Sequence, residues 1–146
     1  MKKQLVYKVT ADYSTNVYGF GNRGFSITPN TPCSINHGKK ISYHIDKLIQ
    51  PPIEGSALFV FKDVQRAIDY ANKLHQTRRI ETFRVWEAET PSCRKLRNKF
   101  VPTGRWDMRS FWAETWIKHR RGLGSQAVPA GTYLCNELTI KKEIKF

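Results

Sequence analysis

The sequence predicts an α+β fold. It should be a compact single domain over residues 1–146, a mostly antiparallel sheet with about two helices packed on it. Two kinds of pattern predict this. Several short stretches alternate apolar and polar side chains or run continuously apolar, as strands do. Two other stretches repeat apolar residues at helical spacing behind an aspartate that can cap them.

Taken in order, Leu5 to Thr10 is the first predicted strand, with Leu5, Tyr7 and Val9 alternating against Val6, Lys8 and Thr10. A polar region rich in glycine and proline follows, with short strands expected around Phe25–Thr28 and Ile41–Ile45. Pro51, Pro52 and Gly55 then punctuate the chain. Ala57-Leu58-Phe59-Val60-Phe61 is an unbroken apolar run, which fits a strand buried on both faces. Asp63 is placed to cap a helix over Val64–Leu74, where Val64, Ala67, Ile68, Ala71 and Leu74 form one stripe. Arg66, Asp69 and Lys73 take its wet side.

Ile80–Ala88 is the next predicted strand, with Phe83 and Val85 on one face and Trp86 on the other or at its rim. Strand, helix and strand in that order suggest a right-handed crossover. Farther on, Met108, Phe111, Trp112, Thr115, Trp116 and His119 make a second helical stripe, begun by Asp107 and ended by Gly122. Pro129-Ala130-Gly131 predicts a turn, and Thr132 to about Ile144 a closing strand in which Leu138 and Ile140 alternate against Glu137, Thr139 and Lys141.

Charge is the unusual feature. The chain has 25 Lys and Arg against 12 Asp and Glu, a net charge of +13. Such a balance suits a polyanionic partner: nucleic acid or an acidic protein surface. The segment Arg94–Arg121 concentrates it, and also holds Trp106, Trp112 and Trp116. Cations interleaved with flat rings suit a phosphate backbone with unstacked bases. The helical spacing turns Trp112 and Trp116 toward a core. The predicted contacts are therefore a basic loop (Arg94, Lys95, Arg97, Lys99), Arg105 and the helix's wet face (Arg109, Lys118, Arg120, Arg121), with Trp106 stacking. Six such contacts would give a log–log salt slope of about −5 on duplex DNA.

Other motifs are weaker. Gly19-Phe20-Gly21-Asn22-Arg23-Gly24 matches a dinucleotide fingerprint, but Phe25-Ser26-Ile27-Thr28-Pro29 follows where a helix is required, so no cofactor is expected. His37, His44, His75 and His119 lack ligand spacing, so no metal is expected. Cys33, Cys93 and Cys135 form no close pair and are expected to be reduced thiols filling a core. No stretch is long and apolar enough to span a membrane, and the N-terminus is a poor signal peptide, which fits a cytoplasmic or virion protein. Glu87 and Glu89 sit two apart on a strand, so both point the same way. They leave open an enzyme, ADP-ribosyltransferase-like or a metal-independent nuclease, in which one of them works with a histidine. Otherwise they are solvated acids pairing with the basic segment that follows. A structural or inhibitory protein docking on an acidic partner is a third alternative.

Val6-Tyr7-Lys8-Val9, Leu58-Phe59-Val60-Phe61 with Ala67 and Tyr70, Val85-Trp86-Glu87-Ala88 and Gly131-Thr132 through Lys142-Glu143-Ile144 occur in an order that resembles a loose group of small phage and large-DNA-virus proteins. The resemblance implies a viral or phage origin and a compact α+β fold. It carries no activity and no site residues.

Overall fold

The structure is a computed structural model that describes residues 2–12, 25–26, 43–51, 57–77, 82–96, 100–102, 125–127 and 129–146. Its elements are β1 (Gln4–Asp12), β2 (Phe25–Ser26), β3 (Leu48–Ile49), β4 (Leu58–Phe61), α1 (Val64–Thr77), β5 (Thr82–Thr90), β6 (Cys93–Lys95), β7 (Phe100–Pro102), β8 (Ser125–Ala127), β9 (Thr132–Cys135) and β10 (Leu138–Ile144). The fold is α+β, an antiparallel sheet with α1 packed on it. The sheet order is β3-β10-β5-β1-β4-β9-β6, with β2 added beside β1, and β7–β8 form a separate pair.

That order closes on itself. Only Pro91 and Ser92 separate β5 from β6, and only Asn136 and Glu137 separate β9 from β10. Glu89 lies opposite Thr139, and Cys93 lies opposite Cys135, in unbroken register. The two ends of the sheet are thus halves of one two-stranded ribbon. One half joins β1 through β5 and the other joins β4 through β9, while Tyr7 pairs with Phe61 to complete the circuit. A one-residue bulge at Lys141, between Ile140 and Lys142, adds local bend to the ribbon.

Inside the circuit lie Val6, Leu58, Val60, Ala88, Cys135, Leu138 and Ile140, all essentially inaccessible. Lys8 is buried with them at 0% exposure. Its Nζ donates to the Phe59 carbonyl at 2.6 Å and stands 5.5 Å from the centre of the Tyr43 ring. A buried ammonium survives only with such partners, because its desolvation is costly. On the outer face, α1 covers Val9, Phe61, Phe83 and Val85 with Ala67, Tyr70, Ala71 and Leu74. Ala67, Ala71 and Leu74 belong to the stripe predicted from spacing, Ile68 packs partly buried against them, Tyr70 joins them, and the helix runs on to Thr77. Asp63 caps it as expected: its Oδ1 accepts from the Gln65 amide at 2.8 Å.

Strands β4 and β5 both run antiparallel to β1, so they run the same way with β1 between them. The crossover helix therefore spans an intervening strand. Trp86 faces away from Phe83 and Val85, and its Nε1 donates to Thr10 Oγ1 at 2.7 Å.

Four expectations need correction. In the predicted Ile41–Ile45 strand, the described residues Tyr43 to Ile45 are not a strand. They lead into a turn held by the bonds from Lys47 N to His44 O and from Asp46 N to Ile140 O. The closing strand is broken at Asn136-Glu137, where the ribbon changes partners. Thr139, on the polar side of the alternation with Leu138 and Ile140, is buried as they are, between Glu89 and Leu48. Arg94 and Lys95 are not in a loop but on β6, made a strand by pairing with β9. The second predicted helix lies outside the described residues, and no described helix is long and apolar enough to cross a membrane.

Candidate nucleic-acid interface

Arg94 and Lys95 are the two predicted contact residues that the structure describes, and both are exposed on the edge strand β6. Arg97, Lys99, Arg105, Trp106, Arg109, Lys118, Arg120 and Arg121 lie outside the described residues. What β6 adds is a setting. Lys95 is directly opposite Tyr133 on β9, and the Lys62 ammonium sits 4.5 Å from the centre of the Tyr133 ring. Arg66, on the first turns of α1, lies over Gly131, two residues before Tyr133. Arg94 points to the opposite side of β6, where its Nη1 donates to Asn136 Oδ1 at 3.3 Å.

Lys62 therefore lies at one half-buried aromatic ring with Lys95 opposite it, Arg66 lies over Gly131 nearby, and Arg94 is on the other side of β6. The loop after β4 supplies Lys62, the wet face of α1 supplies Arg66, and the edge of the ribbon supplies Lys95. Gly131 makes the approach of Arg66 possible. Its φ of +84° is one that side chains resist, and an added Cβ would come within 2.4 Å of Arg66 Cδ.

The distribution of carboxylates sets this patch apart. At the C-terminal end, Lys141 pairs with Asp46 at 3.0 Å and Lys142 with Glu87 at 3.4 Å. Glu143 takes both Arg84 at 2.8 Å and Lys145 at 2.9 Å. Burial pushes the Glu143 carboxyl up, but the bonds from Lys145 and Arg84 outweigh it and hold the group below its ordinary value. The Asp46 carboxylate holds the Lys141 ammonium above its ordinary value. By contrast, among the described residues no carboxylate pairs with Lys62, Arg66, Arg94 or Lys95. Asp63, the acid next to Lys62, accepts a backbone amide at the start of α1.

Glu87 and Glu89 do share a face, as their spacing requires, and both are partly buried. Among the described residues, the partner of Glu87 is Lys142 of β10. Among the described residues, neither glutamate bonds a histidine. His44 is exposed beside the turn, and His75 accepts from the Phe83 amide at 2.9 Å through Nε2. His37 and His119 lie outside the described residues. No group of three or more His, Cys, Asp or Glu is placed to hold a metal ion among the described residues.

Sequence reasoning did not bring Lys62, Arg66 or Tyr133 into the candidate surface. The spacing on α1 did mark Arg66 as solvent-facing. Nothing local marks Lys62 and Lys95 as neighbours, because β4 and β6 meet only through β9. Comparison with protein-family models, with curated proteins and with solved structures finds no match.

Proposed function

We propose that the protein binds single-stranded nucleic acid, without catalysis, through a cationic surface in which Lys62, Arg66, Arg94 and Lys95 meet phosphates and Tyr133 offers a ring to a base. The observation that carries this reading is selective pairing: the cations at the C-terminal end are engaged by acids, whereas among the described residues no carboxylate pairs with Lys62, Arg66, Arg94 or Lys95. A net charge of +13 supplies the long-range attraction. Arg97, Lys99, Arg105, Arg109, Lys118, Arg120 and Arg121 would extend the surface and Trp106 would add a second ring. The resemblance noted in the sequence adds a viral or phage origin to the proposal.

The test is a salt titration of binding to a labelled single-stranded oligonucleotide. Four phosphate contacts give a log–log slope of about −3 on a single strand, and further cations steepen it. Lys62→Gln with Lys95→Gln should flatten the slope by about 1.4, whereas Lys141→Gln should leave it nearly unchanged. Tyr133→Leu should weaken binding by roughly 1–3 kcal/mol at constant slope. Absence of binding at low salt, or a slope indifferent to Lys62 and Lys95, would sink the proposal. Capture of an acidic protein in place of nucleic acid would do the same.

A further inference from the structure

Cys93 and Cys135 are 42 positions apart in sequence, yet directly opposite each other on β6 and β9. Residues so placed in an antiparallel pair have Cα atoms about 4.5–5.5 Å apart and side chains on the same face. Disulfides take Cα separations of about 4.4–6.8 Å. The flanking pairs, Arg94 with Leu134 and Lys95 with Tyr133, hold the register on one side. Both thiols are free, and the Cys93 sulfur is close enough to bear on the ionisation of Cys135. Cys135 is buried at 1% exposure against Leu58 and Leu134, whereas Cys93 is partly exposed and its thiol donates to Gln4 Oε1 at 3.2 Å.

We propose that Cys93 and Cys135 are a redox-responsive site at which a low-molecular-weight disulfide forms a cross-strand bond that staples β6 to β9. The chemistry is thiol–disulfide exchange. The accessible Cys93, as thiolate, attacks one sulfur of the small disulfide, forms a mixed disulfide and releases one small thiolate. Cys135 then loses its proton, attacks the Cys93 sulfur and expels the second small thiolate. Two protein thiols and one small disulfide become one protein disulfide and two small thiols, the protons passing to the two leaving thiolates. The order follows from access. Burial pushes the Cys135 thiol up to about 11, so it waits protonated, while Lys8 and the hydrogen bond with Thr90 favour its ionised form when exchange demands it. The bond joins the edge strand that carries Arg94 and Lys95 to the strand that carries Tyr133, but it does not depend on what that surface binds.

The experiment incubates the reduced full chain with oxidised glutathione, quenches it in acid and maps cysteine linkages by peptide mass spectrometry. A Cys33→Ser chain is run in parallel. The expected result in both is a Cys93–Cys135 peptide in a monomer, reversed by dithiothreitol, with a thermal midpoint higher when oxidised. On the reduced native chain, alkylation should label Cys93 at least tenfold faster than Cys135. Cys93→Ser should yield no glutathione adduct at Cys135 under native conditions. A lasting glutathione adduct on Cys93, linkage to Cys33 or between chains, or equal alkylation rates would overturn the proposal.

Discussion

Gly131→Ala tests the contact that brings α1 to the cationic surface. Two penalties are expected. The backbone at φ +84° is left-handed, which costs an alanine roughly 1–2 kcal/mol. The new Cβ would also stand 2.4 Å from Arg66 Cδ, so the arginine must leave its rotamer, at about 0.5–1.5 kcal/mol. Arg66 is flexible and exposed, and part of that second cost is relieved by movement. A total near 2 kcal/mol follows, or roughly 4–8 °C of thermal midpoint for a chain of this size. Chemical denaturation of four chains separates the parts: the parent, Gly131→Ala, Arg66→Ala and the double variant. With Arg66 truncated, only the backbone penalty should remain, so the two changes should couple by about 0.5–1 kcal/mol. Gly131→Asn keeps the Cβ but tolerates the left-handed backbone, and should cost less than Gly131→Ala. Zero coupling would show that Arg66 does not lie over Gly131. Equal cost for Asn and Ala would show that the backbone there is not left-handed.

Three further outcomes are expected. Asp63→Ala should remove the cap of α1 and cost about 1 kcal/mol in urea denaturation, with Asp63→Asn largely restoring it. Because Glu143 is held below its ordinary value when folded, its contribution is present above the unfolded carboxylate range and is lost as pH falls through the folded value; the parent should therefore lose more stability than Glu143→Gln between pH 6 and about pH 3. Trp86→Phe should leave the fully buried Thr10 hydroxyl without its indole partner and cost about 1–3 kcal/mol, read by thermal unfolding and reduced in a Trp86→Phe, Thr10→Val double variant.

Elements whose signals are local were legible in the chain. Asp63 and the stripe from Val64 to Leu74 define a helix with no knowledge of what it packs against. Ala57 to Phe61 announces a strand wet on neither face, and β4 is buried at every position. The turn before β9 was equally plain, with Gly131 at positive φ and Thr132 Oγ1 donating to the Pro129 carbonyl at 2.7 Å. β6 was not legible, because Arg94 and Lys95 have the composition of a loop and become a strand only through β9. Lys8 reads as a wet residue of an alternating strand. It is buried because the sheet curls round that face and offers the Phe59 carbonyl to its ammonium.

By itself, the sequence determined the α+β class, the net charge, and the positions of β1, β4, α1 and β5, because capping, periodicity and composition act over a few neighbouring residues. The tertiary structure alone decided which strands meet. A period of two states which side chains share a face, but not which distant strand lies opposite or in what register. That choice placed Cys93 against Cys135, and Lys62 and Lys95 about the ring of Tyr133. It also engaged Glu87 with Lys142 and left the cations around Tyr133 without a described carboxylate. The charge of the surface was written in the composition. Which of the described cations meet a described carboxylate was settled by strand pairing over long separations.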